Sequence, residues 1–214
     1  LLAEFYRKAE IAKLWPEYRI QLLAENEKYK PHALQALSAI VEYCKAPQNF
    51  YTRKAQKIHF MICPQMSYFT AQTASINGEI YIIHGPTDSE PSPLAFYHES
   101  LHHLVDPLTE KHLDIVNRSK ELLSISKEKG SLGYNEWVDV VNESFVRTLS
   151  KILAGKRLNL SDEDVLKNVK KEYKLGFILC LYIHETLDQF QLKDMPFAEF
   201  FPEIISNIDF ETEK

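Results

Sequence analysis

The segment His98-Glu99-Ser100-Leu101-His102 sets two imidazoles four residues apart, with a carboxylate directly after the first. On a helix, residues i and i+4 share a face, so both rings can meet one metal ion. Glu99 lies about 100° further round the helix. From there it can take a proton from a water on the ion without ligating the metal itself. Zinc lowers the pKa of such a water to about 7, so the pattern predicts hydrolysis at neutral pH. The bland alternative is a pair of hydrogen-bonded helical histidines beside an exposed glutamate.

A helix over this segment is predicted on several grounds. Ser92 fits the N-cap and Pro93 the first turn, where its missing N–H loses nothing. The helix is expected to end near Val105, because Pro107 disfavours helix at Asp106. Leu94, Tyr97, Leu101, Leu104 and Val105 form an anchoring face, with both histidines at its edge.

A zinc hydrolase needs a third protein ligand and one open position. Metzincins would have Gly at 105 and His at 108; Val105 and Leu108 exclude that class. Asp106 shares the histidine face, but its short side chain suits an orienting hydrogen bond to an imidazole N–H. Glu143 is the other candidate. It sits opposite the apolar stripe Trp137, Val141, Phe145, Leu149 and Ile152, on a face with Glu136, Asp139 and Arg147. Periodicity alone does not separate a ligand there from a solvated Glu143–Arg147 pair.

Five further residues are weighed for roles at the site. Tyr134, in a Gly133-Tyr134-Asn135 loop, could stabilise an oxyanion or simply pack. His184 follows the apolar run Phe177 to Ile183 and could be an electrophile or a hydrogen-bonded core histidine. His84 ends a strand and could approach the cleft. His103 falls on another face and reads as structural. Cys63 lies upstream of the motif, as a deformylase cysteine ligand would, but the residues around it lack that pattern.

The elements that must position these groups fall in three blocks. Residues 3 to 46 read as helical, with Pro16 and Pro31 each opening a helix. They form an arm, residues 1–50, ahead of a catalytic domain, residues 51–214. Strands are predicted at Ile58 to Cys63 (bounded by Pro64), Thr70 to Ile76 and Glu79 to His84. Asn77-Gly78 between the last two marks a hairpin, because both turn positions want positive φ. A polar loop follows, Thr87 to Ser92. After the motif helix, further helices are expected at about 108–128, 135–154, 162–188 and 197–207. Helices, a small sheet, then helices is an α+β order.

Composition narrows the functional classes. The 214 residues are 45% hydrophobic, enough for a substantial core. A net charge of −5 argues against a nucleic-acid surface. No apolar run approaches the roughly 18 residues of a transmembrane helix. Cys44, Cys63 and Cys180 are too scattered for a disulfide framework. The first residue is Leu1 rather than Met, which suggests a trimmed start and fits a secreted or envelope-associated protein better than a cytoplasmic one.

A HExxH helix followed about forty residues later by a helix carrying Asn142-Glu143 resembles the gluzincin arrangement. The run Tyr134, Glu143, Arg147, then Glu172 ahead of Gly176-Phe177, also resembles a bacterial gluzincin-like family of undefined function, over about residues 55 to 205. The resemblance implies a zincin-like fold and a zinc ion held by His98, His102 and Glu143. It also implies that a strand edge, matched here by Glu79 to His84, binds substrate backbone. Two features depart from the thermolysin-like pattern. The spacing to Glu143 is longer, and no motif marks the downstream electrophile.

The function expected is hydrolysis of a peptide or protein substrate, with Glu99 as general base and Tyr134 or His184 as candidate oxyanion partners. Two alternatives are a catalytically silent zincin-fold binding protein, which would not need Glu99, and a metal-dependent hydrolase of non-peptide amides.

Overall fold

Two amphipathic helices carry the centre of the molecule in a computed structural model that describes residues 2–55, 57–63, 66–67, 70–86, 93–130 and 133–208. Helix α4 (Pro93–Lys111) buries Phe96, Tyr97, Leu101, Leu104 and Val105. Helix α7 (Trp137–Arg157) buries Trp137, Val141, Phe145 and Leu149 and packs directly on α4. Each such side chain contributes about 1.5–3 kcal/mol on burial, so the two faces hold the helices in fixed register. Trp137 also satisfies its indole N–H, which donates to the Val116 carbonyl at 3.0 Å.

The remaining helices wrap this pair. α1 (Leu2–Lys8) and α2 (Ile11–Tyr43) lead in, and Tyr29, Ala33, Ala36 and Ile40 of α2 enter the same core. α3 (Phe50–Lys54) is a short turn that the sequence reading missed. After α4 come α5 (Leu113–Val116), a 3₁₀ turn (Asn117–Ser119) and α6 (Leu122–Lys129). α8 (Asp162–Lys174), α9 (Cys180–Leu192) and α10 (Phe197–Ser206) close the chain, with Phe190, Phe197, Phe200 and Phe201 fully buried.

The sheet has three strands: β1 (Lys57–Ile62), β2 (Ala71–Ile76) and β3 (Glu79–His84), in the order β1-β3-β2. β2 and β3 form the expected antiparallel hairpin, with Asn77 at φ 51° and Gly78 at φ 76°. β1 runs parallel to β3 on its other side. The architecture is therefore α+β, mostly helical, with a small mixed sheet.

Several expectations need correction. β3 is the central strand, paired along both sides, so it offers no free edge; that edge belongs to β2. α4 does not stop at Val105 but continues through Pro107 to Lys111. Proline removes one helical hydrogen bond, and burial of Leu104, Val105 and Thr109 around it outweighs that loss. Likewise α2 runs unbroken through Pro16 and Pro31. The helix expected over 108–128 is divided among α4, α5, the 3₁₀ turn and α6. The one expected over 162–188 is two, α8 and α9, separated at Gly176, whose φ of 95° no helix accommodates. Pro64, the loop 87–92 and its Ser92 cap lie outside the described residues.

Candidate metal centre

His98 and His102 project from α4 one turn apart, and α7 brings Glu143 against them. The two Nε2 atoms are 3.4 Å apart. Glu143 Oε2 lies 3.7 Å from His98 Nε2, and its Oε1 lies 3.5 Å from His102 Nε2. A tetrahedral zinc ion with bonds of about 2.0–2.1 Å has ligand–ligand edges about 1.63 times longer, roughly 3.3–3.4 Å. The three donors therefore stand close to the spacing such an ion requires. Two imidazoles and one carboxylate are also a suitable donor set for catalytic zinc. These three groups converge as a cluster able to hold a cation.

The surroundings fix each donor. Asp106 Oδ1 accepts from His102 Nδ1 at 3.1 Å, leaving Nε2 facing the centre. Asp106 thus sits behind a histidine, a full turn from the convergence point. Glu143 is buried, and Arg147 Nε donates to its Oε2 at 2.7 Å. That bond is on Oε2, and Oε1 faces His102 Nε2 at 3.5 Å. Arg147 Nη1 donates to Glu172 Oε2 at 2.9 Å, and Lys151 Nζ pairs with Glu172 Oε1 at 2.8 Å. The Arg147 guanidinium also stacks 4.0 Å from the Phe177 ring centroid. Burial opposes the charge of Glu172, but Lys151 and Arg147 hold its carboxyl below the usual range.

Electrostatics prepare the groups differently. Burial, then the His102 and Arg147 charges, push His98 down to about 3, so its ring is neutral and ready to ligate. Burial raises Glu99 to about 7 despite the opposing His102 charge. A carboxylate so placed exchanges protons near neutral pH. It is 6% exposed and lines the cleft beside His98.

The cleft has two parts. A cavity of about 400 Å³ is lined by His98, Glu99, Arg147, Lys151 and Glu172, among others. A second, also about 400 Å³, is lined by Thr73, Ser75, His102 and Asp106. Strand β2 borders both, with Ala71 at the first and Thr73 to Ser75 at the second. His103, another of the sequence candidates, joins β2 to α4: its Nε2 lies 2.7 Å from Thr73 Oγ1.

The other candidates separate. Tyr134 reaches the centre, where burial, then the Glu143 charge, raise its hydroxyl pKa, and its ring meets Phe177 edge-on at 5.9 Å. His84 is buried with its ring 4.3 Å from Phe96, and it lines the first cavity. His184 lies partly exposed on α9 and is not among the residues lining either cavity. Lys151 escaped the sequence reading. The signal was present in the spacing Glu143, Arg147, Lys151, one residue per turn on one face of α7.

Residues 35–207, well over half of the chain, match the model of a protein family described as Domain of unknown function (DUF4932), and the chain belongs to that family. No curated protein and no solved structure matches it. Among the described residues, no helix is long and apolar enough to cross a membrane.

Proposed function

We propose that this protein is a zincin-like, gluzincin-type zinc hydrolase that cleaves peptide bonds. The observation that carries the reading is the convergence of His98, His102 and Glu143 at near-tetrahedral spacing, with the buried Glu99 carboxylate beside them. A zinc ion, when bound, polarises the scissile carbonyl and activates water. Glu99 accepts the proton from the attacking water and passes it to the departing amine. The Tyr134 hydroxyl, near Glu143, is placed to donate to the oxygen on which charge develops. Arg147 and Asp106 act by positioning, the first on Glu143 and the second on His102.

Peptide is favoured over other amides by the strand beside the cleft. Gly85 N–H donates to the Thr70 carbonyl at 2.8 Å, which marks Thr70–Gly85 as a hydrogen-bonded pair. By the alternation of an antiparallel ladder, Ala71, Thr73 and Ser75 then turn their N–H and C=O groups to the open side of β2. An extended substrate can pair there as an added strand running past the metal centre.

The test combines metal content with turnover. Protein purified without added metal should carry about one zinc per chain by elemental analysis, and it should hydrolyse casein or a fluorogenic peptide. A chelator should abolish that activity and zinc restore it. Glu99→Gln should keep the zinc and lose roughly 10²-fold or more in kcat. A variant as active as the wild type would remove Glu99 from the mechanism. Stoichiometric zinc with no turnover on any peptide would favour the silent binding protein instead.

A further inference from the structure

The first cavity is lined by a cation, Lys151, that hydrolysis at the metal does not use. Arg147 and Glu172 line the cavity beside it, and so does the buried Ser150. Both cations line the cavity with the carboxylates of Glu99 and Glu172; Arg147 is shared between Glu143 and Glu172, whereas Lys151 pairs with Glu172 alone. Lys151 is 19% exposed, and Glu172 takes one of the three N–H donors of its ammonium.

We propose, resting on the hydrolase reading above, that Lys151, with Arg147 beside it, binds the terminal α-carboxylate of a peptide, so that the protein releases short pieces from C-termini. Water adds to the scissile carbonyl, the C–N bond breaks, and the amine of the released piece takes the proton. The new C-terminus stays with the remaining chain.

Two independent geometric points agree with this. The first is direction. A substrate pairing antiparallel with β2 has its N-terminal part near Ser75, at the second cavity, and its C-terminal part near Ala71, at the first. Antiparallel pairing is also the slightly more stable arrangement per residue. The chain end therefore arrives at the cavity that holds Lys151 and Arg147. The second is length. Lys151 lies eight residues beyond Glu143 on α7, about 12 Å along its axis. Both side chains lean back toward the helix N-terminus, and the longer lysine reaches further that way, which shortens the distance somewhat. An extended peptide advances about 3.3–3.6 Å per residue, so two or three residues span the gap. Dipeptides or tripeptides are the expected products.

The probe is N-acetylated Ala-Ala-Phe-Ala-Ala, made as the free acid and as the C-terminal amide. Binding is measured by calorimetry on zinc-loaded Glu99→Gln protein, so that turnover does not intervene, with zinc content determined on the same sample. The acid should bind about 10- to 100-fold more tightly than the amide. Lys151→Met should abolish that preference while leaving amide affinity unchanged, and Lys151→Arg should keep it. A Lys151 that only supports the fold would lower both affinities together. With the wild-type protein, mass spectrometry should show dipeptides or tripeptides released from the acid, with the amide cut at least about 10-fold more slowly.

Equal affinity for acid and amide overturns the proposal, as does failure to bind either or equal cleavage of both. An acid preference in a wild-type protein that holds no zinc, or that releases nothing from either peptide, sinks the hydrolase reading and leaves the carboxylate site standing.

Discussion

Removing Glu143 should damage zinc binding far more than removing Asp106, and the difference can be worked from the site. Structural zinc sites are worth about 10–16 kcal/mol in all. With three protein ligands, one carboxylate carries roughly 3–5 kcal/mol of such a total, or about 10²- to 10⁴-fold in affinity. Glu143→Ala also leaves Arg147, now 2.7 Å from nothing on that side, aimed at the vacated place. Its positive charge then opposes the incoming cation, so the loss should fall at the upper end. Asp106→Ala removes a 3.1 Å hydrogen bond to His102 Nδ1, and the aspartate side chain is 39% exposed. Outer partners of metal ligands are typically worth 10- to 100-fold, and this one is partly solvated, so about 10-fold is expected. Zinc affinity is measured by competition with a chromogenic chelator near neutral pH, with circular dichroism as a check on folding. If Asp106→Ala loses as much affinity as Glu143→Ala, or more, the third ligand has been misassigned and the gluzincin-type reading goes with it.

Three other outcomes are expected. Tyr134→Phe keeps the ring against Phe177 and should lower kcat by about 10²-fold with zinc affinity unchanged, as loss of an oxyanion donor does; a drop in zinc affinity instead would assign the hydroxyl to holding Glu143. Burial holds His84 down at about 4 against an ordinary 6.5, so the unfolded chain takes up the proton first and stability should fall as pH drops from 6.5 toward 4. His84→Phe should recover roughly 3 kcal/mol of that loss in denaturant titrations at the two ends of the window, and an unchanged difference would show the ring to be no contributor. Gly85→Ala would bring a Cβ to 2.1 Å from the Ser67 carbonyl oxygen, so the strand end must shift and stability should fall by about 1–3 kcal/mol, read as a Tm several degrees lower.

What the sequence disclosed about this site follows from how local each signal is. The HExxH spacing is legible because one helical turn decides it. The Asn77-Gly78 hairpin is legible because two turn residues decide it. Glu143 stood on the polar side of an amphipathic helix, where a buried ligand and a solvated glutamate have the same periodicity. Only the packing of α7 on α4 distinguishes them, and it buries Glu143 to 7% exposure. The strand edge was placed on Glu79 to His84 for the same reason: β1 joins β3 across the chain, and nothing local records that pairing. Pro16, Pro31 and Pro107 misled in the opposite direction. Their local preference is real, but tertiary burial of the flanking residues overrode it at Pro31 and Pro107. The Arg147–Glu172–Lys151 network joins α7 to α8, so its partners become visible only once those helices meet.

Glu143, Arg147 and Lys151 occupy successive turns of a single rigid helix, and this makes α7 a ruler. Its graduations are four residues, about 6 Å, apart. Lengthening a surface loop cannot alter the interval between graduations, because no loop lies between them. Inserting one residue into the helix between 143 and 151 would not lengthen the interval smoothly either. It would swing Lys151 about 100° around the axis and out of the cleft. Insertion of four residues, by contrast, would restore the facing at one turn's greater reach. Any descendant of this protein that measures out a longer piece must therefore change by a full turn or move the cation to another residue on the same face. Gly155, the next graduation, is closed to that change, since a Cβ there would meet Val165 Cγ2 at 2.4 Å.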